Sequence, residues 1–127
     1  MLLAQFPEKA RFRELAADCN VIPVCAETLA DLDTPLSLMY KIYQGQGPLF
    51  LFESVEGGER WGRYSFMGIS ARYRIKVFNE HVVIENEGQP RKIRHGGDPF
   101  GVLRDFMGKF RPANLPELPR FWGGLVG

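Results

Sequence analysis

The sequence predicts an α+β fold, an antiparallel β-sheet or sandwich portion flanked by helices. Three observations carry this. Thr34-Pro35 and Asp98-Pro99 each place a capping residue before a proline and are followed by apolar residues at helical spacing. Tyr73, Ile75 and Val77 alternate with Arg72, Arg74 and Lys76, the period of a strand with one wet face. Asn79-Glu80 and Glu87-Gly88-Gln89 then separate short strand-like runs, as hairpin turns do.

In chain order, residues 7–17 read as a helix with Pro7 near its first turn and Phe12, Leu15 and Ala16 as a narrow apolar stripe, ended at Asn20. Residues 21–28 read as a strand whose internal Pro23 cannot donate to a ladder, which puts it at a sheet edge. The helix capped by Thr34 carries Leu36, Met39, Tyr40 and Tyr43 on one stripe and leads through Gly45 and Gly47 into an apolar strand from Pro48. Strands are expected over 64–68, 72–78, 81–86 and 90–95. A helix over 98–110 follows, with Phe100, Leu103, Phe106, Met107 and Phe110 facing a core. Pro112, Pro116 and Pro119 mark an extended linker before residues 121–127, which read as the start of a further strand or tight turn.

Composition narrows the function classes. A chain of 127 residues, 45% hydrophobic and 24% charged, suits one globular domain. Its net charge of +1 and dispersed basic residues give no nucleic-acid footprint, and Arg72, Arg74 and Lys76 read as a solvated face. No apolar run approaches the roughly 20 residues that span a bilayer, so no membrane partner is expected. Cys19 and Cys25 read as free thiols of a cytoplasmic protein, and His81 and His95 lack a carboxylate or Cys at ligand spacing and are assigned no role. No Ser/His/Asp constellation, phosphate-cradling loop or metal cluster is legible, so no catalytic residue and no metal ligand is assigned.

The stretch richest in chemistry is 48–68, PLFLFESVEGGERWGRYSFMG. Alternation puts Phe50, Phe52 and Ser54 on one face and Leu49, Leu51 and Glu53 on the other, so both faces are apolar until the last two positions, as in an interior strand. A carboxylate and a hydroxyl at the strand exit suit an ammonium and a polar anchor, and free backbone groups there suit a carboxylate. Together these fit an amino acid. Ordinary turn chemistry, with Glu53 solvated, Ser54 ending the strand and Gly57-Gly58 turning the chain, explains the same residues without a ligand.

Leu51-Phe52-Glu53-Ser54, then ten residues, then Ser65, resembles the LLES-x10-S signature of anthranilate synthase component I, with Phe52 replacing one Leu. The run Glu53–Gly68, the Thr34-Pro35 helix start before the strand, and LPRFWGGLVG at residues 118–127 are similar to that family as well. The resemblance covers nearly the whole chain but only the front portion of the family's protein, so the chain is expected to be an N-terminal regulatory domain, residues 1–127, truncated at its C-terminal end.

What the resemblance implies is a share in an enzyme that converts chorismate and ammonia, or glutamine through a partner amidotransferase, to anthranilate and pyruvate in tryptophan biosynthesis. The catalytic residues and the carboxylates for Mg2+ belong to the C-terminal half, so this piece alone is expected to be inactive and to bind no cofactor. The implied site is for L-tryptophan as feedback inhibitor, formed by Glu53, Ser54, Tyr64 and Ser65. Many members have a basic residue just before the second Ser; this chain has Tyr64 there and Arg63 one earlier, and either is a candidate contact. The implied partners are L-tryptophan, the C-terminal half of the same protein and the glutamine amidotransferase subunit. Two alternatives stand beside this reading: the N-terminal region of aminodeoxychorismate synthase component I, and a free-standing amino-acid-binding module.

Overall fold

A computed structural model describes residues 1–53 and 64–127. Within them the order is β1 (Leu2–Phe6), α1 (Lys9–Leu15), β2 (Cys25–Thr28), α2 (Pro35–Ile42), β3 (Leu49–Glu53), β4 (Ser65–Ile69), β5 (Tyr73–Val77), β6 (His81–Asn86), β7 (Gln89–Arg94) and α3 (Pro99–Met107). The strands form antiparallel sheets β1-β2, β3-β4 and β5-β6-β7, an α+β architecture. No helix among the described residues is long and apolar enough to cross a membrane.

A hydrophobic core lies between α3 and the three-stranded sheet. Alternation sends Val82 and Ile84 of β6 to the inner face, where they meet Phe106 of α3, and these three are buried. Tyr73, Ile75, Ile93, Val102 and Phe110 pack around them. The Tyr73 ring meets Phe106 and Phe110 edge-on, at 5.1 and 5.9 Å between centroids. Burying such side chains stabilises the fold by about 1.5–3 kcal/mol each, so this cluster anchors the β5-β6-β7 meander. Asp98 starts α3 as expected, its Oδ1 accepting from the Gly101 N–H at 2.9 Å. The helix closes at Met107, three residues short of the expected end, because Gly108 begins a tighter turn in which the N–H groups of Lys109 and Phe110 donate to the carbonyls of Phe106 and Met107.

Helix α2 also starts where its sequence signals place it. The Thr34 side chain accepts from the Ser37 N–H at 3.1 Å, and Ser37 Oγ accepts from the Thr34 N–H at 2.9 Å, a reciprocal capping box. Lys41 Nζ and Ser37 Oγ both donate to Asp33 Oδ1, and these two bonds hold the Asp33 carboxyl below its usual pKa.

Four readings of the sequence need correction. Strand β2 spans Cys25–Thr28 only; Pro23 lies outside it, and Val21 instead makes an isolated parallel bridge to Pro112. Residues 2–6, given no element by the sequence, form β1 and pair with β2, leaving β2 an edge as Pro23 implied. The proline-rich stretch after α3 is a strap rather than a free linker: the Ala113 N–H donates to the Val21 carbonyl, Ala113 and Leu115 are buried, and Arg11 pairs with Glu117 at 2.8 Å. Residues 121–127 contain no strand; Phe121 instead puts its ring against Phe66.

Candidate functional site

The site predicted from the sequence sits at one end of the β3-β4 hairpin. Residues 49–53 pair with 69–65 in unbroken register: Leu49 with Ile69, Phe50 with Gly68, Leu51 with Met67, Phe52 with Phe66 and Glu53 with Ser65. At the opposite end the Ser70 N–H donates to the Pro48 carbonyl at 3.0 Å, and the Tyr43 hydroxyl donates to the Gly47 carbonyl at 3.1 Å. Helix α2 packs on β4, so the hairpin is held from its closed base outward.

Cross-strand partners share a face, so Glu53 and Ser65 stand side by side at the end of a face otherwise formed by Leu49, Leu51, Met67 and Ile69. Both are exposed, and neither makes a side-chain hydrogen bond or ion pair among the described residues. A carboxylate, acceptor-only when ionised, lies next to a hydroxyl that can donate or accept, an arrangement with capacity for an ammonium or amide group.

The other face is aromatic. Phe50 and Phe52 lie 5.0 Å apart, Phe66 meets Phe121 edge-on at 5.1 Å, and the Tyr64 ring is 6.0 Å from Phe66. Phe52 and Tyr64 are about half exposed, so the cluster is open at the same end as Glu53 and Ser65. The predicted set is therefore divided: Glu53 and Ser65 come together on one face, while Tyr64 turns to the other among the rings. Ser54 and Arg63, with the Gly57-Gly58 turn, lie outside the described residues. Phe52, Phe66 and Phe121 are neighbours that sequence reasoning missed as a group; alternation along two strands signals the first two, but nothing local signals Phe121.

Strand β3 differs from its expected interior position. Among the described residues it pairs with β4 alone, and Leu49 and Phe52 remain 39% and 48% exposed. Apolar alternation reports what a strand can bury, not which chain covers it, so the pattern and the partial exposure are compatible.

Among the described residues no three His, Cys, Asp or Glu side chains gather as a metal site, and Cys19 and Cys25 are free thiols. These residues do not fit Mg2+, and no step through it is assigned to them.

A two-sided hairpin, acidic-hydroxylic on one face and aromatic on the other, makes the chain a candidate small-molecule-binding domain of the α+β class. Comparison with known proteins is more particular. The chain is 42% identical over 123 residues to anthranilate synthase component 1 of Acetivibrio thermocellus, a match covering 96% of this chain and 24% of that protein. It is 43% identical over 120 residues to the protein of the same name from Pseudomonas putida, covering 94% and 24%, and 42% identical over 122 residues to that from Synechocystis, covering 95% and 24%. Over nearly its whole length, then, the chain matches anthranilate synthase component 1, and it spans about a quarter of the length of these relatives. No protein-family profile matches the chain, and no solved structure matches it.

Proposed function

We propose that this chain is the N-terminal regulatory portion of an anthranilate synthase component 1 and that the end of its β3-β4 hairpin contributes to an L-tryptophan feedback-inhibition site. The observation that carries the reading is the Glu53 carboxylate, unpaired among the described residues, beside the Ser65 hydroxyl, in a chain over 40% identical to proteins of that name. Glu53 receives the ligand's ammonium and Ser65 a second polar group, while the half-exposed rings of Phe52 and Tyr64 offer apolar contact around the strand end. The remaining walls, the catalytic residues and the second neighbour of β3 come from the rest of the protein.

Tryptophan at this hairpin favours a domain arrangement in which chorismate is not processed. Such coupling requires tighter binding to that arrangement, typically by about 1–3 kcal/mol. The test uses the full-length enzyme with chorismate and either ammonia or glutamine plus its amidotransferase subunit. Ser54→Leu replaces the hydroxyl that follows Glu53 in sequence with a bulky apolar side chain, and at least about a tenfold rise in the tryptophan concentration for half inhibition is expected, with uninhibited activity near that of the parent. Unchanged tryptophan sensitivity removes the site assignment, and aminodeoxychorismate in place of anthranilate as product removes the enzyme assignment.

A further inference from the structure

We propose that the outer face of the β5-β6-β7 sheet docks a carboxylate-rich protein surface, an inference independent of the tryptophan site. The register places Lys76, Val83 and Lys92 in one row across the three strands, Arg74, Glu85 and Pro90 in the next, and His81 with Arg94 in the row on the other side. Val82 and Ile84 alternate to the inner face and are buried against Phe106, so these residues point outward. Arg74, Lys76, Lys92 and Arg94 are all exposed. The ion pairs among the described residues are Arg11–Glu117 and Lys41–Asp33, so all four cations of this face lack a contacting carboxylate there.

In these rows Arg74, Lys76, Lys92 and Arg94 stand against Glu85 alone, an excess of one sign that solvation by itself does not require. Neighbouring like charges on a sheet repel, and Lys76 and Lys92 flank the same valine about 10 Å apart, with Arg74 and Arg94 about 7 Å further along their strands. The whole chain carries a net charge of only +1, so this concentration is local. Half-buried Val83 supplies an apolar centre and the cations a charged rim, the layout of a protein interface. Nucleic acid fits less well. The His81 ring is already stacked on Phe78 at 4.8 Å rather than free for a base.

The experiment measures fluorescence anisotropy of a labelled dodecaglutamate peptide with the intact protein that carries this sequence, beside a single-stranded dT 12-mer. The peptide is expected to bind at about 50 mM salt, to weaken strongly at about 300 mM, and to lose at least about tenfold in affinity in Lys76→Glu/Lys92→Glu. The control Lys9→Glu/Arg13→Glu, on α1, makes the same change in net charge and keeps binding within about twofold. The neutral pair Lys76→Gln/Lys92→Gln, with an unchanged circular dichroism spectrum, gives an intermediate loss and excludes misfolding as the cause. No peptide binding, or equal loss in the α1 control, overturns the proposal. Tighter binding of the dT 12-mer, abolished by the same charge reversal, also overturns it and makes the face a nucleic-acid surface.

Discussion

The Phe50 ring lies directly across Gly68, its partner on the neighbouring strand, so a Cβ built at residue 68 would come within 2.8 Å of ring Cζ. A hairpin pair of this kind needs glycine because the ring occupies the space of the partner's side chain. Gly68→Ala is expected to destabilise the hairpin by about 1–3 kcal/mol, the usual cost of overpacking. Urea unfolding checks the loss. In Gly68→Ala/Phe50→Leu, where the smaller side chain vacates that space, the two effects should combine to less than their sum. Strict additivity would mean that the ring and the glycine are not coupled.

That relationship shows which parts of this structure the sequence carries. Both helix starts after Thr34 and Asp98, the β5-β6-β7 meander and the strand that ends in Glu53 were legible because each rests on signals within a few residues: a cap, a proline, an alternation, a Gly-containing turn. Strand β1 was not, since residues 2–6 lack a clean alternation and take their structure from pairing with β2. Phe121 joins Phe66 across more than fifty residues of chain, and the Val21–Pro112 bridge spans even more; composition cannot announce such contacts. At the candidate site the chemistry of Glu53 and Ser65 was legible, and their placement side by side depends on a register that only pairing defines.

The turn joining β6 and β7 holds a non-glycine residue in a left-handed conformation. Glu87 has φ 50° and Gly88 φ 79°, the positive pair of a two-residue hairpin turn that favours Asn-Gly. Glutamate bears a steric cost there that asparagine largely avoids. Glu87→Asn should therefore stabilise the chain by about 0.5–1 kcal/mol, read as a higher urea midpoint at unchanged slope. A neutral or lower midpoint would show that the turn does not strain Glu87.

Asn20 ties the end of α1 to the end of α3. Its Nδ2 donates to the Lys109 carbonyl at 2.7 Å, its Oδ1 accepts from the Arg111 N–H, and its own N–H donates to the Arg111 carbonyl at 3.0 Å. The side chain thus serves two backbone groups from a segment about ninety residues away in sequence. Asn20→Ala removes both side-chain bonds and should cost about 1–2 kcal/mol, because water can replace part of what is lost at this exposed position. Amide exchange at Arg111 provides the local readout: its protection should fall in the variant, and unchanged protection would mean that the backbone bridge alone holds the strap.

His81 gives the fold a pH dependence whose sign can be stated. Its ring stacks on Phe78 with 17° between the planes, and loss of hydration there lowers its pKa from the ordinary value of 6.5. The Lys92 ammonium and His95 push in the same direction, while the Glu80 carboxylate opposes them. As pH falls below about 6.5 the unfolded chain takes up the His81 proton before the folded chain does, so the unfolded state binds more protons and stability falls. The loss ends once pH passes the lower folded value. Replacing the imidazole in His81→Asn removes this contribution, so between pH 7.5 and 5.5 the urea midpoint of the parent should drop more than that of the variant. Equal drops would show that the folded chain does not disfavour the imidazolium at this position, and NMR titration of the His81 ring would then return its ordinary pKa.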